Sequence, residues 1–464
     1  MDEISGQDAA VLNIVIIGAG LGGLSAAVAL RKAGHYVTVY EAAKELMTAG
    51  AGIQIPPPST RILKKWGLVE ALEPFVTTPE QWNFRHYSDD RLLGSIPLNP
   101  FCSDRYGSPW WCTHRADYQR ILYSNALSLG ATINLDHPVI SLDPLVPSIT
   151  TPHITHKADL IIASDGLRSL TRTHLFPTHS GPLATNICAY RALVPLPSGP
   201  PSANPTVEVH LGPSLFTLSY PIRPLSPLQN YVLGHPFSSH DPSIRFPRPI
   251  ILSTVAEEYA SFSPPIRSKI AHFKPEVASS FFLSSRPSNS SMAPSARDDG
   301  KGEILEWRLS SLPPLPSWSS PNGKVLLLGD AAHASLPFMS AGASMAVEDA
   351  ACLAALLAPD VVEWLGLEGA VRGYETIRKE RAEEMGRLSL GDAGSWGLGG
   401  EEAGRRDEVI GEMGGEGWEG VGRRVKEEGL GEWNFGDLGV MDWAWGYDVL
   451  EDVGGWLERD GRRR

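Results

Sequence analysis

Six residues near the start, Gly18-Ala19-Gly20-Leu21-Gly22-Gly23, limit the fold more than any other feature. They follow a short apolar run, Asn13–Ile17, and open a helical stretch, Leu24–Ala33, which Gly34 closes as the residue after the cap. A second apolar run, Tyr36–Tyr40, ends at Glu41. Strand, glycine turn, helix and strand make a βαβ opening. In the Gly-x-Gly-x-x-Gly spacing, Gly18 permits the tight turn, Gly20 lets the backbone approach a pyrophosphate, and Gly23 lets helix and strand close up. The helix N-terminus offers free N–H groups to the phosphates. Glu41 at the second strand end suits ribose hydroxyls and repels a 2′-phosphate. The opening therefore predicts FAD or NAD as the dinucleotide, and not NADP.

Val11–Leu30 is apolar enough to suggest a membrane anchor, but four glycines break it and no basic stretch precedes it. Ala343–Ala358 carries Glu348 and Asp349, so it too is expected to lie in a soluble protein. The net charge of −13 argues against nucleic acid as a partner. The four cysteines form no CxxC and no His cluster has metal spacing, so no metal site and a reduced, cytoplasmic chain are expected.

Two further segments resemble cofactor loops. Asp159–Ala163 is a buried strand running into Asp165-Gly166, followed by a cationic turn with Arg168 and Arg172. Lys324–Leu328 is another buried strand, followed by Gly329-Asp330 and a long helix after Gly342-Ala343. Asp330 at a strand end can accept hydrogen bonds from a sugar-alcohol chain. The helix start near Gly342 favours an anion lying above it. The neighbouring His333 reads as a supporting residue and not as a base.

Between residues 190 and 320 the character changes. Pro and Ser are frequent, and alternating runs appear at Thr206–Leu211, Leu215–Tyr220 and Asn230–Leu233. The fold class predicted is α/β: a Rossmann-like dinucleotide-binding domain with an inserted, mainly antiparallel β domain and a helical C-terminal part. The expected boundaries are 1–185 for the first part of the binding domain, with an excursion into the substrate side near 76–112. Residues 186–320 form the inserted domain, 321–390 the second part with the long helix, and 391–464 an acidic segment with a Trp-rich tail. From Gly391 onward nine Lys and Arg face eighteen Asp and Glu, with many glycines and no sustained period, so residues 391–431 are expected to be flexible.

With His114-Arg115-Ala116-Asp117, these motifs in this order resemble the single-component FAD-dependent aromatic monooxygenases, the family of para-hydroxybenzoate hydroxylase and salicylate hydroxylase. Gly50-Ala51-Gly52-Ile53-Gln54, Tyr190-Arg191, Tyr220-Pro221-Ile222-Arg223 and Tyr374-Glu375-Thr376-Ile377-Arg378 extend the resemblance over most of residues 12–390. The closing Trp445-Gly446-Tyr447-Asp448 is similar to the tail of fungal members. Ala341 and Pro58 depart from the Gln and Asn of many members.

The resemblance implies FAD held by Gly18, Gly20, Gly23, Glu41, Gly52, Arg115, Asp165, Asp330, Gly342 and Ala343. NAD(P)H would act as a transient co-substrate and O₂ as oxidant. Oxygen would add at flavin C4a and pass to an electron-rich phenolic or polyketide-like ring. Arg191 and Tyr220 are the residues expected to act on that ring. Epoxidation of a non-aromatic substrate and a non-catalytic flavin-binding paralogue remain alternatives, as do monomer and homodimer.

Overall fold

The computed structural model describes residues 11–46, 51–196, 204–237, 239, 244–273, 303–411 and 421–461. Gly50 of the glycine-rich segment, most of Ser239–Gly302 and residues 412–420 lie outside them. The first motif forms the expected βαβ unit. Strand Asn13–Ile17 leads into helix Leu21–Lys32 and then strand Tyr36–Tyr40. The helix ends as its sequence predicts: Gly34 has φ +95°, its N–H reaches Arg31 O, and the N–H of His35 reaches Leu30 O.

Five parallel strands make the first sheet, in the order 325–327, 160–163, 13–17, 36–40, 132–134. Ile14–Ile17, Leu160–Ala163 and Val325–Leu327 are buried throughout, as parallel strands covered on both faces must be. Helices Leu21–Lys32 and Gly342–Leu356 pack on each other beside it. The three cofactor-type loops, far apart in sequence, thus leave the carboxyl ends of three adjacent strands. Such strand ends are where ligands sit in open α/β sheets.

The second sheet has eight strands in the order 248–251, 303–311, 183–195, 228–236, 216–222, 206–211, 81–86, 92–97. All neighbours are antiparallel except 206–211 with 81–86. Side chains alternate between its faces, so register decides which residues look inward. Ala189, Leu193, Tyr220 and Ile222 join the main core, whereas Tyr190, Tyr231 and Leu233 pack with Val255, Tyr259 and Ile266 on the outer face.

The C-terminal region differs from the expectation of a flexible segment, as far as it is described. One helical stretch, Pro359–Trp396, is broken at Gly366 (φ +70°), and helices follow at Gly400–Gly411 and Val421–Glu427. Ala403, Arg406 and Ile410 are buried at helical spacing, as are Val421 and Val425. Each helical glycine costs about 1 kcal/mol relative to Ala; here tertiary burial outweighs that propensity. The tail docks: Phe435 lies 4.2 Å from Trp82 and 5.5 Å from Trp445 between ring centroids, and Trp445 lies 4.6 Å from Trp110. Among the described residues no single helix is long and apolar enough to cross a membrane.

Candidate active site

The glycine turn is built by contact. A Cβ on Gly23 would lie 2.0 Å from Gly18 O, and one on Gly18 would lie 2.4 Å from Ser164 O, where φ is already +98°. Neither position tolerates a side chain. At Gly20 and Gly342 a Cβ would meet nothing within 4 Å, so both face open space. Gln119 Nε2 donates to Ala19 O at 2.7 Å and steadies the turn. Glu41 accepts from the N–H groups of Ala19 (2.7 Å) and Ala43 (2.9 Å), which aims its carboxylate along the turn.

The second and third loops converge on the first. Asp165 Oδ2 accepts from the N–H and hydroxyl of Thr171, both at 3.2 Å, while its buried Oδ1 has no partner among the described residues. Arg172 reaches Ala331 O at 3.0 Å and Leu167 O at 2.6 Å and so ties the two loops together. Asp330 is exposed at the start of the short helix Asp330–His333, directly after Gly329 (φ +63°). Behind it, Asp349 accepts from Gly329 N–H at 3.1 Å and contacts His333 Nε2 at 2.6 Å. His333 therefore braces the Gly-Asp turn through Asp349. Open glycine backbone, two helix starts, a ribose-type carboxylate and an unpaired buried carboxylate oxygen suit a dinucleotide with pyrophosphate and polyol chains, as FAD has.

A second group of residues gathers where the eight-stranded sheet meets strand Gly52–Ile55. That strand pairs with Trp111–His114, which brings Gly52 beside Arg115; the Arg115 N–H donates to Ala51 O at 3.1 Å. A Cβ on Gly52 would lie 2.6 Å from Tyr220 Cε2 and 2.8 Å from Asn230 Cβ, so only glycine allows this approach. Asn230 Oδ1 accepts from Gly52 N–H at 2.8 Å. Arg223 bonds Asp117 at 2.5 and 3.0 Å, joining the His-Arg-Ala-Asp motif to the Tyr-Pro-Ile-Arg motif.

Tyr220 pairs with Asn230, and Arg191 with Val232, across the strand 228–236. The even spacing puts Arg191, Asn230 and Tyr220 on the inward face. The Nε of Arg191 is buried without a hydrogen-bond partner among the described residues. Burial lowers its affinity for a proton and nearby Arg115 lowers it further, while Tyr220 works the other way. Burial pushes the Tyr220 phenol well above its ordinary range, so it stays a protonated donor.

On the outer face of the same sheet, Cys188, His235 and Glu306 come within metal-ligand reach of one another. Chain spacing does not reveal this grouping, because cross-strand register creates it. Arg248 pairs with Glu306, the Tyr190 ring stacks on His235 at 4.3 Å, and the Tyr190 hydroxyl donates to Glu258 at 3.0 Å. The group reads as an ion-pair and stacking cluster.

Residues 11–188 and 319–389 match the family described as FAD binding domain. The chain belongs to that family. It is 30% identical over 390 residues to the FAD-dependent monooxygenase OpS4 of Beauveria bassiana, covering 82% of this chain and 84% of that protein. It is also 30% identical over 386 residues to 6-hydroxynicotinate 3-monooxygenase of Pseudomonas fluorescens, covering 81% and 90%. A salicylate hydroxylase substrate complex shares the fold, with TM-score 0.71 and 20% identity over 96% of this chain and 98% of that one. The chain is thus an FAD-dependent monooxygenase.

Proposed function

We propose that this enzyme uses NAD(P)H and O₂ to hydroxylate a small phenolic or polyketide-like aromatic substrate. Bound FAD supplies the redox chemistry that activates oxygen. The observation that carries the reading is Arg191: a shielded guanidinium nitrogen without an acceptor among the described residues, on the sheet face that carries Tyr220 and Asn230 against Gly52. Arg191 would hold the substrate as its phenolate or carboxylate, and Tyr220 would orient it by a hydrogen bond. Ionising a phenol raises the nucleophilicity of its ring, so a fixed cation helps by placement and by charge. Gly18, Gly20, Gly23, Glu41, Gly52, Arg115, Asp165, Asp330, Gly342 and Ala343 would hold FAD. Residues 1–185 and 321–390 would form the cofactor part and 186–320 the substrate part. The substrate part would also include an excursion near 76–112, a reading supported by strands 81–86 and 92–97 within the eight-stranded sheet. The four free, buried cysteines are consistent with a reducing cytoplasm. Either a monomer or a homodimer would serve.

The test is a product screen by mass spectrometry with NAD(P)H and a panel of phenolic and polyketide-like aromatics. A product heavier by one oxygen, with substrate-stimulated NAD(P)H oxidation, is expected. No stimulation by any ring would favour a flavin-binding protein without oxygenase activity. The flavin should be yellow, non-covalent FAD that acid precipitation releases; flavin kept in the pellet contradicts this.

Within the cofactor site, Asp330→Ala should lower FAD occupancy more than His333→Ala. Asp330 stands exposed at the turn, whereas His333 acts through Asp349. Flavin-to-protein absorbance ratios decide it, and equal ratios would remove the distinction.

A further inference from the structure

Asn230 is fully buried, and its two amide atoms differ in their fate. Oδ1 takes the Gly52 N–H at 2.8 Å, which fixes the orientation of the amide. Nδ2 is then a buried donor with no acceptor among the described residues. Leaving such a donor unpaired destabilises the buried site. Directly across one strand pair stands Tyr220, and diagonally across the pair on the opposite side stands Arg191, whose Nε also has no partner among the described residues. Cross-strand neighbours on one face lie about 4.5–5.5 Å apart and diagonal ones about 7–8 Å, within reach of long side chains. Two buried donors without an acceptor among the described residues therefore share one face, and Asn230 itself is pressed against Gly52.

We infer that Asn230 is a specificity-determining residue that donates from Nδ2 to a second acceptor on the substrate ring, beside the ionised oxygen held by Arg191. The inference rests on the aromatic-hydroxylase reading above. It narrows the substrate class to rings bearing an ionised oxygen together with a carboxylate or carbonyl, and it disfavours simple phenols. A site with a committed donor rejects an analogue that lacks the acceptor, because the donor is then left unpaired.

The test uses the FAD-loaded enzyme and two probes: salicylate, which carries both groups, and phenol, which carries one oxygen. Dissociation constants come from the change in flavin absorbance on titration. Wild type should bind salicylate at least about tenfold more tightly than phenol, the worth of one hydrogen bond to a charged acceptor. Asn230→Leu removes the donor without adding charge. Asn230→Asp keeps the acceptor for Gly52 N–H and should keep FAD content at the wild-type level. In both variants the preference for salicylate over phenol should collapse.

An unchanged preference in both variants would overturn the inference. So would wild type that binds neither probe, or FAD loss in Asn230→Asp with the preference intact, which would assign the donor to the flavin. Arg191→Ala judges the underlying reading separately: if it binds both probes as wild type does, that reading fails, whatever the Asn230 variants do.

Discussion

Arg191→Ala is expected to retain its FAD and lose most substrate-stimulated turnover. The guanidinium lies outside the three cofactor loops, on strand 183–195, and makes no hydrogen bond or ion pair with the described residues. Among the described residues it has no side-chain partner to abandon, so its removal should not disturb the fold. A bound anion, by contrast, would lose its charged partner in a poorly solvated place. That loss is worth about 2–5 kcal/mol in kcat/KM. Tyr220→Phe removes one hydrogen bond and keeps the ring, for about 0.5–1.5 kcal/mol. The Tyr220 ring also packs against Gly52, and Phe preserves that contact. Substrate-stimulated NAD(P)H oxidation and flavin content, measured on both variants, test the pair. Wild-type turnover in Arg191→Ala, or protein purified without flavin, would mean that the substrate anion is held elsewhere.

The difference between cofactor and substrate sides also marks how far sequence reasoning reaches. Gly18–Gly23, Asp165-Gly166 and Gly329-Asp330 each end a short apolar run, and local rules fix what such a turn does. The parallel order that unites them follows from βαβ geometry. In the second sheet, Thr206–Leu211 matches its observed strand, but the long strand 183–195 that carries Arg191 was not evident between its Pro- and Ser-rich neighbours. Asn230 was missed for a different reason. Its alternation is visible, but only cross-strand register puts it opposite Tyr220 and against Gly52, and register is not written in one strand. The helices of 400–411 and 421–427 were hidden by composition. Glycine and glutamate mask a short apolar stripe at Ala403, Ile410, Val421 and Val425, whose burial depends on the rest of the molecule.

Arg378 should prove the costliest charged side chain to remove. It is fully buried and lies 2.9 Å from both Glu348 and Asp349. Glu348 is shared with Arg381, which donates to the tail carbonyls of Trp443 and Ala444 at 3.2 and 2.9 Å. Asp349 holds Gly329 N–H and His333 behind the Asp330 turn. One guanidinium therefore links the docked tail to a cofactor loop. A buried pair is worth little compared with a well-packed apolar replacement, but breaking one by removing a single partner leaves buried charge uncompensated, at about 3–5 kcal/mol. Arg378→Met should lower the denaturant midpoint accordingly and expose the tail to protease. Arg387 is the control: it also bridges two carboxylates, Glu384 and Glu432, but is 51% exposed, so Arg387→Met should cost at most about 1 kcal/mol. The effect should also depend on pH. Burial pushes the Asp349 carboxyl up, but His333 and Arg378 together more than offset this and hold it below the usual range. A depressed carboxylate contributes its stability above the unfolded value of about 3.9 and loses it as pH falls through the folded one. The gap between wild type and Arg378→Met should therefore be full near neutrality and narrow in acid below about pH 4. Equal shifts for the two arginines would mean that the tail and the cofactor loop are held by apolar packing alone.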